Sequence, residues 1–280
     1  MEKNINGKAL YSPKGAALEY GRVGCNFYTG CPRDCVYCFL KRGVIGKQLG
    51  GTEVKLKKCF KDEDDALEVF CREVRKYMDY LREVGVFFSF TTDPLIPETI
   101  NLTLSAINMC IYNGIPVKVL TKDASFIDYD RFKLNSSGKR FKEYVSIGFT
   151  LTGRDDMETN APSNMARIES MRKLKENGIK TFASIEPVID WKSSINIVRA
   201  ALSYCDHFKI GLRSGVKEDY YDNSETINSV TLLRHMILGA GKTVYFKESI
   251  RKRVAKITDN DWLKLFLKGT LDMDGNPIAD

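Results

Sequence analysis

The strongest constraint on the fold is a rhythm that begins near residue 62 and runs to about residue 247. Along it, segments with helical spacing of apolar side chains alternate with short strand-like runs. Residues 62–84 open on Asp62, Glu63, Asp64 and Asp65, acids suited to the positive end of a helix dipole. Leu67, Phe70, Val74, Tyr77, Met78 and Leu81 then recur at helical spacing until Gly85 stops the helix. Residues 86–92 (VFFSFTT) read as a strand, and Pro97 opens a second helix that ends near Gly114. Further strands are expected at 116–122, 144–152, 179–188, 207–215 and 243–247. Helices are expected at 163–177, 192–204 and 225–238, with a poorly marked helical stretch near 125–134 and a loop at 136–138. Strands separated by helices predict βαβ units and a parallel sheet.

The strand faces say more than the strands themselves. Val145, Ile147, Phe149 and Leu151 share one face, and Ser146, Gly148, Thr150 and Thr152 the other. Phe208, Ile210 and Leu212 similarly oppose His207, Lys209, Gly211 and Arg213, while Ser184 and Glu186 share a side. A parallel sheet covered by helices on both faces reads apolar on both. Here one face is small and polar, which predicts a barrel or partial barrel with a ligand-holding interior; an open sheet with one exposed face is the alternative. A standard eight-stranded barrel would fill that interior with bulky aliphatic side chains.

At 280 residues, with 43% hydrophobic and 28% charged side chains, the chain suits one large domain with additions and is not a mainly disordered polymer. No apolar run approaches the roughly 18 residues of a membrane span, and the first residues lack a signal-peptide core, so a cytoplasmic protein is expected. The net charge of +7 tolerates a polyanionic partner without requiring one. With only His207 and His235 present, chemistry built on several histidines is disfavoured.

Three of the eight cysteines, Cys31, Cys35 and Cys38, fall within eight residues at CxxxCxxC spacing. Three thiolates on one short loop can hold three corners of an iron–sulfur cube, leaving a coordination position open for substrate. A closed structural site needs a fourth ligand. Cys25 is the nearby candidate, and its strand-like surroundings mark it as a wall residue instead.

The segment Asn26-Phe27-Tyr28-Thr29-Gly30-Cys31, continuing through Cys35 and Tyr37 to Cys38, resembles the cluster motif of the radical S-adenosylmethionine superfamily. It is similar in particular to that of its spore photoproduct lyase-like branch. Thr92-Asp93-Pro94-Leu95-Ile96-Pro97-Glu98 resembles the same branch's T-D-P-x-x-P-x-E segment, with Glu98 one position ahead of that pattern's final acid, and Val119-Leu120-Thr121-Lys122 its third-strand T-K. Phe27 stands where the motif has proline, and Phe39 where a tyrosine is usual. The lyase proper carries a hydrogen-donor cysteine beside its T-D segment. No cysteine lies between Cys71 and Cys110 here, so the resemblance carries the reaction class and not that repair reaction.

The resemblance implies a partial (β/α)6 TIM-like barrel with an N-terminal cluster loop and a C-terminal extension, a [4Fe-4S] cluster and S-adenosylmethionine. In the family, reductive cleavage of that cofactor yields a 5′-deoxyadenosyl radical that abstracts hydrogen from substrate. The implied boundaries are an extension at 1–22, the barrel at 23–215 and a helix-strand extension at 216–280. Cys31, Cys35 and Cys38 would bind iron, and Tyr37 would lie against adenine. Thr91, Thr92 and Asp93 would meet the methionine amine, Lys122 its carboxylate, and Ser146 or Thr150 the ribose. Glu186 and Arg213, at strand ends where barrels place chemistry, are expected to contact substrate or cofactor, or to pair with each other. The implied substrate is a nucleic-acid lesion or modified base, with a small metabolite or peptide as the alternative; the implied electron donor is a flavodoxin or ferredoxin. A non-enzymatic metal module is the rival from another class. Two basic runs, Lys55 to Lys61 and Arg251 to Lys256, could track phosphates or be ordinary surface. The glycines around Gly241 resemble a phosphate loop but follow a helix, so a helix stop is expected.

Overall fold

The computed structural model describes residues 3–272 and 275–278. Ten strands and ten α-helices follow one another along the described chain. The strands are β1 (Leu10–Tyr11), β2 (Gly24–Cys25), β3 (Tyr28–Thr29), β4 (Lys55–Leu56), β5 (Val86–Phe88), β6 (Val117–Thr121), β7 (Val145–Thr150), β8 (Lys180–Val188), β9 (His207–Leu212) and β10 (Thr243–Phe246). The helices are α1 (Gly43–Leu49), α2 (Glu63–Val84), α3 (Ile100–Tyr112), α4 (Asp130–Ser136), α5 (Lys139–Tyr144), α6 (Asn164–Glu176), α7 (Trp191–Ala201), α8 (Asn223–Gly239), α9 (Glu248–Ile257) and α10 (Asn260–Leu267). No described helix is long and apolar enough to cross a membrane.

The main sheet runs β1-β2-β5-β6-β7-β8-β9-β10, with β1 antiparallel and every later pairing parallel. Strand order thus follows chain order, which is the winding of a barrel; among the described residues the two edge strands do not pair, so the barrel stays open. The segment after residue 215 contributes β10, which pairs with β9 in register Thr243 to His207. β3 and β4 form a separate two-stranded ribbon beside the cysteine loop.

The helices begin and stop for local reasons. Asp62, Ser163, Asp190, Asp222 and Asp259 each accept a backbone N–H of the first turn of α2, α6, α7, α8 and α10. Gly239 ends α8, as its helix-stop reading expects. The structure adds elements the sequence pattern did not mark, among them β1, the β3–β4 ribbon, α1, α9 and α10, and it departs from that pattern at β5 and α5 as well. The ladder of β5 ends at Phe88 rather than near 92, because Phe90 N–H donates to Asn26 Oδ1 and Thr91 Oγ1 donates to the Tyr28 carbonyl. Helix α5 escaped the periodicity because six residues, with Phe141 and Tyr144 as their apolar members, make less than two turns.

Val145, Ile147, Phe149 and Leu151 are buried in the main core, as their shared face predicts. The opposite face is not uniformly wet. Tyr20, Phe87 and Phe182 form a second apolar cluster there, joined by Phe90 and Leu120. Gly148 makes room for it: a Cβ at that position would meet the Phe182 ring at 2.2 Å. Tyr20 ends a 3₁₀ turn, Gly15–Tyr20, that lies across this inner face. The inner face is therefore part aromatic floor and part cavity.

The N-terminal arm is tied to α2 by one carboxylate. Glu73 accepts the backbone N–H groups of Lys8 (2.7 Å), Ala9 (3.2 Å) and Leu10 (2.7 Å). Hydrogen bonds to a charged group contribute about 1.5–3 kcal/mol. Glu73→Ala is expected to lower unfolding free energy by about 2 kcal/mol, measured by urea denaturation, whereas alanine at the neighbouring exposed Glu68 should leave it nearly unchanged.

Candidate active site

The cysteine loop is shaped by its backbone. Gly30 holds φ +77° with the Glu53 carbonyl oxygen 2.0 Å from where a Cβ would lie, so only glycine fits before Cys31. Cys31 N–H donates to the Gly51 carbonyl (2.8 Å), and Val36 N–H to that of Met157 (3.0 Å). Phe27, at the motif's proline position, packs against Phe60, Phe70 and Phe88 beneath the loop. Cys25 is fully buried in β2 within the main core, which confirms it as a wall residue.

Cys31, Cys35 and Cys38 line one end of a cavity of about 920 Å³. Its other walls come from the C-terminal ends of the parallel strands: Thr92 and Asp93 after β5, Lys122 after β6, Thr150 on β7, Ser184 and Glu186 on β8, and Arg213 after β9. Tyr37 lines it as well. Of the residues singled out from sequence, two do not reach it. Thr91 turns its hydroxyl onto the Tyr28 carbonyl at 2.6 Å, and so fastens β3 to the segment after β5. Ser146 is paired with Lys118 and Lys180 near the start of β7, far down the strand from Thr150. Alternation placed Ser146 on the correct face, but period-two spacing carries no depth along a strand.

The carboxylate of Asp93 is largely engaged in the scaffold. Its Oδ1 accepts from Thr121 Oγ1 (2.6 Å) and Leu95 N–H (3.2 Å), and its Oδ2 from Lys122 N–H (2.9 Å). Arg33 lies 3.6 Å from it and also pairs with Asp123. Asp93 thereby locks the end of β5 to the end of β6. Thr92 Oγ1, by contrast, is buried without a hydrogen-bond partner and lies at the cavity.

Two charge networks, not legible in the sequence, hold the walls. Glu158, in the loop after β7, is 1% exposed and accepts from the Tyr37 hydroxyl. It pairs with Arg167 at 2.8 Å and with Lys122 at 3.9 Å. Lys122 also lies 5.5 Å from the Tyr37 ring centre. Burial opposes the Lys122 charge, but Cys35 and Glu158 outweigh it and hold its pKa above the ordinary lysine value. Burial, reinforced by Glu158, raises the Tyr37 phenol, and burial with the Asp93 charge pushes the Cys31 thiol up to about 11.

The second network fills the opposite wall. Glu186 does not pair with Arg213; its Oε2 accepts from Lys247 (2.6 Å) and the Tyr20 hydroxyl (2.5 Å). Tyr20 also meets Ser184 at 2.6 Å, and Glu19 accepts from Tyr245 (2.6 Å) and lies 3.4 Å from Lys247. Lys209 donates to the Glu19 carbonyl between the Tyr20 and Tyr245 rings, each 5.2 Å away. Glu158 and Glu19 left no sequence signal, since each lies in a loop or turn without a motif and acquires its partners only across the fold.

Breaking a buried ion pair from one side leaves the other charge uncompensated. Glu158→Gln is expected to destabilise the chain by about 3 kcal/mol in denaturant titration. Lys209 generates a pH effect: burial, then Lys118 and Lys247, lower its pKa to about 7 against the partial support of Glu19 and Glu186. The unfolded lysine titrates near 10.4. Between those values the unfolded chain holds a proton that the folded chain has released, so stability rises with pH from about 7 to about 10 and gains nothing from this group below about 7. Lys209→Met should abolish that rise when the two chains' unfolding free energies are compared at pH 7 and pH 9.5.

No family model matches the chain. An uncharacterized protein of Methanocaldococcus jannaschii is 37% identical over 174 residues, a match that spans 59% of this chain and 59% of that protein. A solved variant of spore photoproduct lyase superposes with a TM-score of 0.62 over 84% of this chain and 80% of that one, at 15% identity. Streptococcus suis SuiB bound to S-adenosylmethionine superposes with a TM-score of 0.54 over 86% of this chain and 55% of SuiB, at 14% identity. SuiB bound to its precursor peptide SuiA gives 0.53, with 53% of SuiB covered. The chain thus spans little more than half of SuiB. At such identities the likeness is one of architecture: this chain has the fold of two radical S-adenosylmethionine enzymes, spore photoproduct lyase and SuiB.

Proposed function

We propose that the chain is a radical S-adenosylmethionine enzyme, with a [4Fe-4S] cluster on Cys31, Cys35 and Cys38 and S-adenosylmethionine in the adjoining cavity. The observation that carries this reading is that three thiols of one loop open onto the same cavity as the C-terminal ends of the parallel strands. The donor set fits the cluster. Thiolates are the preferred ligands of iron–sulfur centres, and Cys25 is sealed in the core and so cannot close the fourth position. A structural metal module is normally closed by a fourth protein ligand, and the core position of Cys25 disfavours that rival.

Bound there, the cluster and S-adenosylmethionine supply reductive cleavage of the sulfonium and hydrogen abstraction from a substrate. The chain's own residues orient and enclose. Tyr37, clamped by Glu158, forms a fixed wall beside the thiols, and Lys122 offers a cation whose charge Glu158 sustains. The unpartnered Thr92 hydroxyl and the remaining acceptor capacity of Asp93 suit an ammonium group. Thr150 offers a hydroxyl from the next strand. The aromatic floor of Tyr20, Phe87 and Phe182 excludes water from below. A flavodoxin or ferredoxin would supply the electron.

For the substrate, a nucleic-acid lesion or modified base is one reading, carried by the spore photoproduct lyase neighbour. The basic run at 251–256 does not add to it: Arg251 is held by the Phe246 and Leu271 carbonyls, Arg253 by those of Glu218 and Tyr221, and Lys252 and Lys256 by Glu248 and Glu218. That engagement, with the peptide-bound SuiB neighbour, favours a peptide or small metabolite as the second reading.

The test is anaerobic cluster reconstitution, reduction in the presence of S-adenosylmethionine, and chromatographic assay of 5′-deoxyadenosine. Wild type is expected to form it and to bind about four irons per chain, while Cys35→Ala forms none. An intact cluster without product, with or without added oligonucleotide or peptide, would refute the assignment.

A further inference from the structure

The charged groups that line the cavity sort into two kinds. Arg33 is paired with Asp123, Lys41 with Asp34 at 2.7 Å, Lys122 with Glu158 at 3.9 Å, and Lys247 with Glu186 at 2.6 Å. Lys14, Lys47 and Arg213 line the same cavity, and among the described residues none of them faces a carboxylate at ion-pair distance. Arg213 stands out further, because its Nε is buried and has no hydrogen-bond partner. A guanidinium that has lost water on one edge without gaining an acceptor is unfavourable by itself.

This side chain is also held in place. Its backbone N–H donates to the Tyr221 hydroxyl at 2.9 Å, and that hydroxyl donates to the Val188 carbonyl at 2.5 Å. The Tyr220 hydroxyl donates to the Ile189 carbonyl at 3.0 Å, and the Arg213 guanidinium lies 5.9 Å from the Tyr220 ring centre. Arg42 Nη1 reaches the Ser214 carbonyl at 2.8 Å, tying this loop to the start of α1, which carries Lys47. Arg213 is therefore seated on a tyrosine pair bolted to the end of β8, with Lys47 held on the adjoining helix.

We propose that Arg213, with Lys47 and Lys14 lining the same cavity, is the specificity determinant that binds an oxyanion of the substrate, a phosphate or a carboxylate, at the cavity mouth. The planar fork of arginine suits either group in a bidentate contact. Preorganisation by Tyr220 and Tyr221 reduces the ordering cost of that contact. The inference rests on the cavity's being the reaction chamber proposed above, and it names the class of molecule that enters.

The test is calorimetric titration of the full chain, at low salt, with pyrophosphate as the phosphate probe and succinate as the carboxylate probe. It is run before and after cluster loading, and S-adenosylmethionine affinity is measured on the loaded chain. Wild type is expected to bind at least one probe, the tighter of the two identifying the group. Arg213→Gln should weaken that binding by about tenfold while S-adenosylmethionine affinity stays within about twofold, and Arg213→Lys should restore only part of it. Lys47→Gln, an exposed change that leaves folding undisturbed, should weaken the probe by about threefold and carries the test if Arg213→Gln does not fold. Absence of binding by wild type, or unchanged binding in either variant, overturns the proposal. So does an equal fall in S-adenosylmethionine affinity, which would assign Arg213 to the cofactor. A chain that takes up no iron yet binds the probe through Arg213 refutes the proposed function and leaves the oxyanion site standing.

Discussion

A parallel sheet whose strand order follows the chain order has its helices on one side, and something must cover the other. The Gly15–Tyr20 turn does much of that here, and much of the site depends on it. It enters from beside β1 at one edge of the sheet and makes its contacts with β8, β9 and β10 at the other: Tyr20 with Ser184 and Glu186, the Glu19 carbonyl with Lys209, and the Glu19 carboxylate with Tyr245 and Lys247. An open barrel is thereby bridged by side chains rather than by strand pairing. The bridge separates an aromatic floor from the polar cavity above it, and Tyr20 belongs to both, with its ring in the floor and its hydroxyl on Glu186.

That separation bears on the site. The cysteine loop is fixed from below by the Phe27 cluster, at its base by the backbone geometry of Gly30, and from the side by the loop after β7 through Val36 and Tyr37. Glu158 is the pivot of the last contact, because it serves Tyr37 in the cysteine loop, Lys122 after β6 and Arg167 on α6 at once. Asp93 plays the equivalent part between β5 and β6. Rigid walls of this kind allow three thiols and several strand-end hydroxyls to face one space without collapsing onto one another.

The strand-helix rhythm, the apolar face of each strand and the cysteine loop were legible because each depends on spacing within a few residues of one element. Asp62, one of the acids that marked the start of α2, belongs to the same class and caps that helix. What local spacing missed had a shared cause. β5 stops at Phe88 because Asn26 takes the Phe90 N–H and the Thr91 hydroxyl ties the next segment to the Tyr28 carbonyl, and Ser146 lies too deep in β7 to reach the cavity. Arg213 and Glu186 both sit at strand ends as expected, yet Glu186 is claimed by Lys247 from the next strand over.

Sequence by itself marked the alternation of strands and helices after residue 62, their parallel arrangement and the gathering of three cysteines on one loop, since periodicity, turn residues and the CxxxCxxC spacing are properties of a chain read in one dimension. Only the tertiary structure decided which charges are neutralised and which are left free. Electrostatic pairing depends on distances between residues far apart in the chain, such as Tyr20 and Glu186 or Lys247 and Glu19. No spacing rule encodes those distances, and they set the polarity of the cavity.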